Sequence, residues 1–443
     1  MALLDPAWFL EQEARALLTR LDRVKPFVLQ ESMVPAAALL PDAQVGIERA
    51  MLTGRRQLRS AVGEFISWLW GPGRHVPASE AQRRFALLRM TFNAHLSELE
   101  VFSGVITQRS ESELGVWLSG LDVAAADGLT TPGGEFYQPP PMICYVDRGH
   151  GAAIRRVATR LPGGSSNPVG IIRIPRERLV GHGIASSLMH EVGHQGAALL
   201  DLVPSLRAEL KQRSAAATTA AGRRAWAAWA AWISEIAADF WSVAKLGVGS
   251  TLGLLGVVSL PRRHVFRVTL SDPHPFPWIR VKVSASIGRR LYPDAQWDVV
   301  EALWEQLYPR SVASPAVRKV IAQLEPTIPA LSAALAAHRP AALRGRTLGG
   351  VLRSDLRGPG ELLAWFERWR EDPPLAREIP PTLFLAALGQ ARFAGWLSPE
   401  AETAEVSRLL AYWAMRSTLD VAAASADAVR RSIPIEQPIR AIA

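Results

Sequence analysis

Apolar residues recur at three- and four-residue spacing through almost the whole 443-residue chain, and only two short runs read as strands. These are MICYVD (142–147) and VGIIRI (169–174), with the turn cluster RLPGGSSNP (160–168) between them. Residues 152–160 (AAIRRVATR) admit a third strand. So little strand points to a mainly α protein that encloses a small mixed α/β unit with a short antiparallel sheet.

The helical pattern divides into segments. It covers 48–70 and 79–102 near the N-terminus, where Ser79 has the residue type of an N-cap. The glycine- and proline-rich stretch DGLTTPGGEFYQPPP (127–141) interrupts it as a linker or long loop. After Pro175 it returns over 183–202, 204–219, 222–246, 276–291, 294–308, 314–325, 328–338, 359–370, 381–393 and 399–424. The expected organisation is an N-terminal helical region (1–135), a catalytic domain (136–310) and a C-terminal helical region (311–443). The closing RSIPIEQPIRAIA (431–443) reads as an extended tail.

Composition narrows the function classes. The net charge of +9 comes from 50 basic and 41 acidic residues, and only Lys25, Lys211, Lys245, Lys282 and Lys319 are lysines. The arginines are scattered among acids with no dense basic block, so no nucleic-acid partner is expected. The arginine-rich, lysine-poor balance fits a GC-rich bacterial genome. A single cysteine, Cys144, excludes an intrachain disulfide framework and a multi-cysteine metal site, and in its apolar run it reads as a buried, inert thiol. The N-terminus lacks the basic region of a secretory signal. The apolar run LGVGSTLGLLGVVSL (246–260) is shorter than the roughly 20 residues of a spanning helix and reads as buried helix and turn. A cytoplasmic protein without a transmembrane segment is the expectation.

One segment carries chemistry. GIASSLMHEVGHQGAALLDL (183–202) contains His190-Glu191-Val192-Gly193-His194. On a helix, positions i and i+4 project from one face, so both imidazoles can hold one Zn²⁺. Glu191, one residue along, can reach a water at that ion as general base. The apolar flanks bury this helix, and buried polar side chains need partners. The metzincin pattern is absent, because Ala197 and Leu200 occupy its glycine and third-histidine positions. A later helix, 221–247, carries Glu235 and Asp239, again at i and i+4 within the apolar WISEIAADFW. Glu235 can complete the ligand set, and Asp239 can accept the other ring N–H of a ligand histidine.

HExxH followed by a helix bearing ExxAD resembles the gluzincin metallopeptidases, in the form found in the CAAX-prenyl-protease type and its soluble relatives. SDPHPFPWIRV (271–281) is similar to the HPxxxxR segment that follows in that group, with His274, Pro275 and Arg280 in place. The resemblance spans about residues 140–290. It implies a zinc metallopeptidase acting on peptide or protein substrates. His190, His194 and Glu235 would be zinc ligands. Glu191 would be the base and then the acid for the leaving amine, and Asp239 would orient His190. It further implies either an oxyanion-donating or a structural role for His274. Arg280 would be a structural group or a contact for a substrate carboxylate. In that group an edge strand before the zinc helix binds extended peptide, a role that would fall to VGIIRI.

Other residues take plainer readings. Trp226, Trp229 and Trp232, at three-residue steps, read as core packing, and RRH (262–264) as solvated surface. His182 lies outside the expected site. Two functions other than catalysis are compatible with the residues. One is an inactive zinc-stabilised binding or regulatory protein with a zincin-like fold. The other is a helical interaction module in which the HExxH is accidental.

Overall fold

The computed structural model describes residues 5–24, 33–148, 151–159, 166–176, 181–269, 271–374 and 379–432. The chain opens with three helices, α1 (Pro6–Leu21), α2 (Pro41–Trp70) and α3 (Ala78–Thr107). The buried positions of α2, among them Ile47, Met51, Leu58, Val62, Phe65 and Leu69, follow the helical period and form one stripe facing α1 and α3. At the start of α3 the cap position is Pro77, so Ser79 lies inside the helix and caps nothing. Helix α4 (Ser112–Leu129) runs on through Asp127, so the expected linker begins only after Leu129. Asp127 Oδ2 accepts bonds from the backbone N and Oγ1 of Thr382 at 2.8 and 2.6 Å.

The three strands are β1 (Met142–Asp147), β2 (Ala153–Arg155) and β3 (Gly170–Pro175), in the order β1-β3-β2. β1 pairs with β3 in parallel and β2 pairs with it antiparallel. The sheet is therefore mixed, not antiparallel, and VGIIRI forms its centre, not an edge. The physical reason is burial on both faces. Val169 and Ile171, with Ile143 of β1, pack against the N-terminal helices, whereas Ile172 and Ile174 face the larger core with Cys144. A strand apolar on both sides fits the middle of a sheet, where both of its edges are paired. Of the turn cluster 160–168, residues 160–165 lie outside the described residues, as does the expected tail from 433 onward.

The sheet separates two hydrophobic cores. One is formed by α1–α3 together with Ile143, Val169 and Ile171 of the sheet; the other gathers residues from Leu118 in α4 to Trp413. Arg109, fully buried, ties the parts together: it pairs with Asp122 of α4 at 3.0 Å and donates to the Cys144 carbonyl at 2.7 Å. Asp122 in turn accepts the Cys144 N–H at 2.7 Å. Burial pushes the Cys144 thiol well up.

The larger core is built from α5 (Gly181–Leu199), α6 (Leu202–Ala216), α7 (Ala220–Leu246) and α8 (Val248–Val258). It continues with α9 (Arg262–Val265), α10 (Pro277–Leu291), α11 (Gln296–Leu307), α12 (Pro315–Leu324) and α13 (Ile328–Ala337). Helices α14 (Leu348–Leu352), α15 (Pro359–Glu371), α16 (Pro381–Phe393) and α17 (Pro399–Ser432) complete it. Gly247, at φ 56°, makes the sharp turn from α7 into α8. The stretch Pro315–Ala337 is long and apolar enough to cross a membrane. In the fold it forms α12, a turn and α13, with Ile321, Leu324, Leu331 and Leu335 buried. Trp229 and Trp232 are buried as expected of core residues, and Trp226 packs against that core half-buried.

Candidate metal centre

Helices α5 and α7 cross at unusually close range. A Cβ on Gly193 would lie 2.8 Å from the Ala238 carbonyl oxygen, and one on Gly196 would lie 2.5 Å from the Trp241 ring. Only glycine lets the backbones approach this far. The close approach brings Glu235 of α7 up to the two histidines of α5.

His190 and His194 project side by side, with ring centroids 4.8 Å apart and planes at 84°. Glu235 Oε2 lies 3.2 Å from His190 Nε2, and Oε1 lies 3.5 Å from His194 Nε2. One ligand atom from each residue falls within 4.8 Å of the others, so the three form a group that could hold a metal ion. Behind it, Asp239 Oδ1 meets His190 Nδ1 at 2.8 Å. With the proton on Nδ1, the lone pair of Nε2 points toward Glu235 and His194. Arg280 of α10 donates to both oxygens of Asp239, from Nε at 2.7 Å and Nη2 at 2.8 Å. Arg280 thus grips Asp239 through two of its nitrogens, and Nη2 also lies 3.5 Å from His190 Nδ1.

The electrostatics favour a cation at this point. Burial would lower the His190 pKa, but the hydrogen bond and charge of Asp239 and the hydrogen bond to Glu235 outweigh it, raising it to about 9. Burial would raise Glu235, yet hydrogen bonds from His190, His194 and His274 hold it far below the usual carboxylate range. Asp239 is likewise held low: the charge and hydrogen bonds of Arg280 and the bond to His190 overcome its burial. Carboxylates that favour a proton on the imidazole also favour a metal ion between the rings. Two imidazole nitrogens and one carboxylate, backed by a carboxylate on the far ring nitrogen, suit a divalent transition ion.

Glu191 is buried next to the group, and burial raises its pKa despite the nearby histidines. No described residue hydrogen-bonds its carboxyl. His274 stands at the mouth, half exposed, with Nε2 3.1 Å from Glu235 Oε2 and Nδ1 2.8 Å from Asp272 Oδ1. Asp272 also accepts the backbone N–H of His274 at 2.9 Å, which holds the loop in shape. All seven residues singled out in the sequence converge here. His182, left out of the expected site, pairs with Glu402 of α17 at 3.0 Å instead.

Some contributing residues carried no readable signal. Gln195, 1% exposed, accepts the Val157 N–H at 2.9 Å and so ties the chain just after β2 to the histidine helix. A glutamine beside a ligand histidine is unremarkable in sequence. Gly193 and Gly196 were equally silent, because their demand comes from Trp241 and Ala238, more than forty positions away.

The group opens into a cleft of about 130 Å³ bordered by Gly151 and Ala152, which lead into β2. Compared with known protein families, curated proteins and solved structures, the chain matches none.

Proposed function

We propose that the protein is a zinc-dependent metallopeptidase of gluzincin type. The observation that carries this reading is the convergence of His190, His194 and Glu235 from two helices, with Glu191 alongside and Asp239 behind. These first three residues would hold Zn²⁺. Zinc bound there would act as a Lewis acid toward a peptide carbonyl and make a water nucleophilic near neutral pH.

The remaining chemistry falls to the chain. Glu191, with a carboxyl raised by burial, is suited to take a proton from the attacking water and return it to the leaving amine. Asp239, gripped by Arg280, holds the His190 ring in one tautomer and orientation. His274 is suited to donate to the oxygen that becomes negative as the peptide carbonyl is attacked, and Asp272 orients its ring. An extended peptide would pair with the outer edge of β2, where no described strand is bonded, beside the cleft, because both edges of β3 are occupied.

The test is metal analysis of the purified protein, with cleavage of a quenched peptide library by wild type and Glu191→Gln, with and without chelator. Stoichiometric zinc and hydrolysis abolished by chelator and by Glu191→Gln are expected. A Glu191→Gln protein that cleaves at the wild-type rate overturns the mechanism. Zinc without any hydrolysis selects the inactive, zinc-stabilised protein.

A further inference from the structure

Inward from the metal-holding group, the cleft runs between α5, α7, α8 and α10, and its walls there are hydroxyls. Ser186, Ser242, Ser250 and Ser284 come one from each helix and are all buried. Leu254 and Val257 add an apolar strip along α8.

These hydroxyls are only partly committed. Ser186 Oγ donates to the Ser250 carbonyl at 3.0 Å, and Ser250 Oγ donates to Ser242 Oγ at 2.8 Å. Among the described residues nothing accepts the proton of Ser242. Ser284 Oγ and Thr251 Oγ1 share one bond at 2.8 Å, which leaves one of their two protons without an acceptor among the described residues. Arg280, 9% exposed, lines the same cavity. Its Nε and Nη2 serve Asp239, while Nη1 has no partner among the described residues. Each of these serines has one partner, and what is left over is donor capacity at the cavity wall, which alanine at the same positions would not carry. Uncommitted donors around a cavity next to a reactive centre mark a place where a ligand completes the bonding.

We propose that this compartment receives the substrate side chain next to the reacting bond and selects a short, hydrogen-bonding one: serine, threonine or asparagine. The proposal rests on the peptidase reading above. The lining chemistry supports it, because an apolar side chain would leave the spare hydroxyl and guanidinium donors unpaired, and sites of that kind discriminate strongly.

The decisive measurement is binding, which needs no turnover. Zinc-loaded protein is titrated calorimetrically with L-threonine hydroxamate, L-leucine hydroxamate and L-phenylalanine hydroxamate. Cleavage of a peptide library is profiled in parallel. Threonine hydroxamate is expected to bind at least about tenfold tighter than the phenylalanine compound. Ser250→Ala and Ser284→Ala are each expected to narrow that ratio with zinc content retained. Tighter binding of the leucine or phenylalanine compound, a ratio unmoved by both substitutions, or no binding of any hydroxamate overturns the proposal. Threonine preference without cleavage of any peptide leaves the pocket standing and removes the peptidase reading. Cleavage with a preference for phenylalanine does the reverse.

Discussion

Arg280 and Asp239 meet through two parallel hydrogen bonds, Nε to Oδ2 at 2.7 Å and Nη2 to Oδ1 at 2.8 Å, both residues being buried. The pair anchors α10 to α7, and its carboxylate also holds Nδ1 of His190. A bidentate arginine fixes the plane of a carboxylate better than a single charge can. Removing the carboxylate should therefore weaken metal binding without touching a ligand. Asp239→Asn is expected to lower zinc affinity by about 10–100-fold, measured by competition with a chromophoric chelator. Unchanged affinity would refute the orienting role of Asp239.

The glycines of α5 offer a second test. Gly196→Val places a branched side chain where the Trp241 ring lies, so α5 and α7 must separate. Overpacking of this kind costs about 1–3 kcal/mol, read by urea denaturation. Because Glu235 rides on α7, zinc content should fall together with stability. Loss of stability with full zinc occupancy would show that the spacing of the two helices does not control the site.

His274 should separate binding from catalysis. His274→Ala is expected to retain zinc and to lower kcat about a hundredfold, with KM little changed, as for loss of one oxyanion donor. A change confined to KM would assign His274 to substrate binding.

The Arg109–Asp122 pair is the strongest stability prediction. Both groups are buried, and removing one partner leaves an uncompensated charge in the core. Arg109→Ala is expected to destabilise the protein by about 3–5 kcal/mol in urea unfolding. A loss below 1 kcal/mol would mean that the pair contributes little beyond packing.

Lys245 makes stability depend on pH. Burial, with the charge of Arg357 beside it, lowers its pKa to about 7 against the partial offset of Asp127. The unfolded chain, with an ordinary lysine near 10.4, binds more protons between about pH 7 and 10.4, so this group adds stability as pH rises through that window. Below pH 7 both states carry the proton and the full cost of the buried charge remains. Lys245→Met should accordingly raise Tm at pH 6 and raise it less at pH 9.5. An equal shift at both values would refute the titration.

Local geometry made most of the site legible. His190, Glu191 and His194 stand in one helical turn, and the i, i+4 rule alone places both imidazoles on one face. Glu235 and Asp239 were legible for the same reason, as acids paired at that spacing in an apolar helix. The ranges of most helices and of β1 follow from hydrophobic period and turn residues, which are also local.

What the sequence could not determine is what long-range packing decides. VGIIRI reads from the sequence as an edge strand and is the centre of the sheet, because a strand's neighbours are chosen by segments distant in the chain and this strand is buried on both faces. The contact of Arg280 with Asp239, the need for glycine at 193 and 196, and the gathering of four serines from four helices arise only when α5, α7, α8 and α10 close on one another. Periodicity specifies which face of a helix is buried; the side chains that meet on that face depend on how neighbouring helices pack, and that is settled by the tertiary structure as a whole.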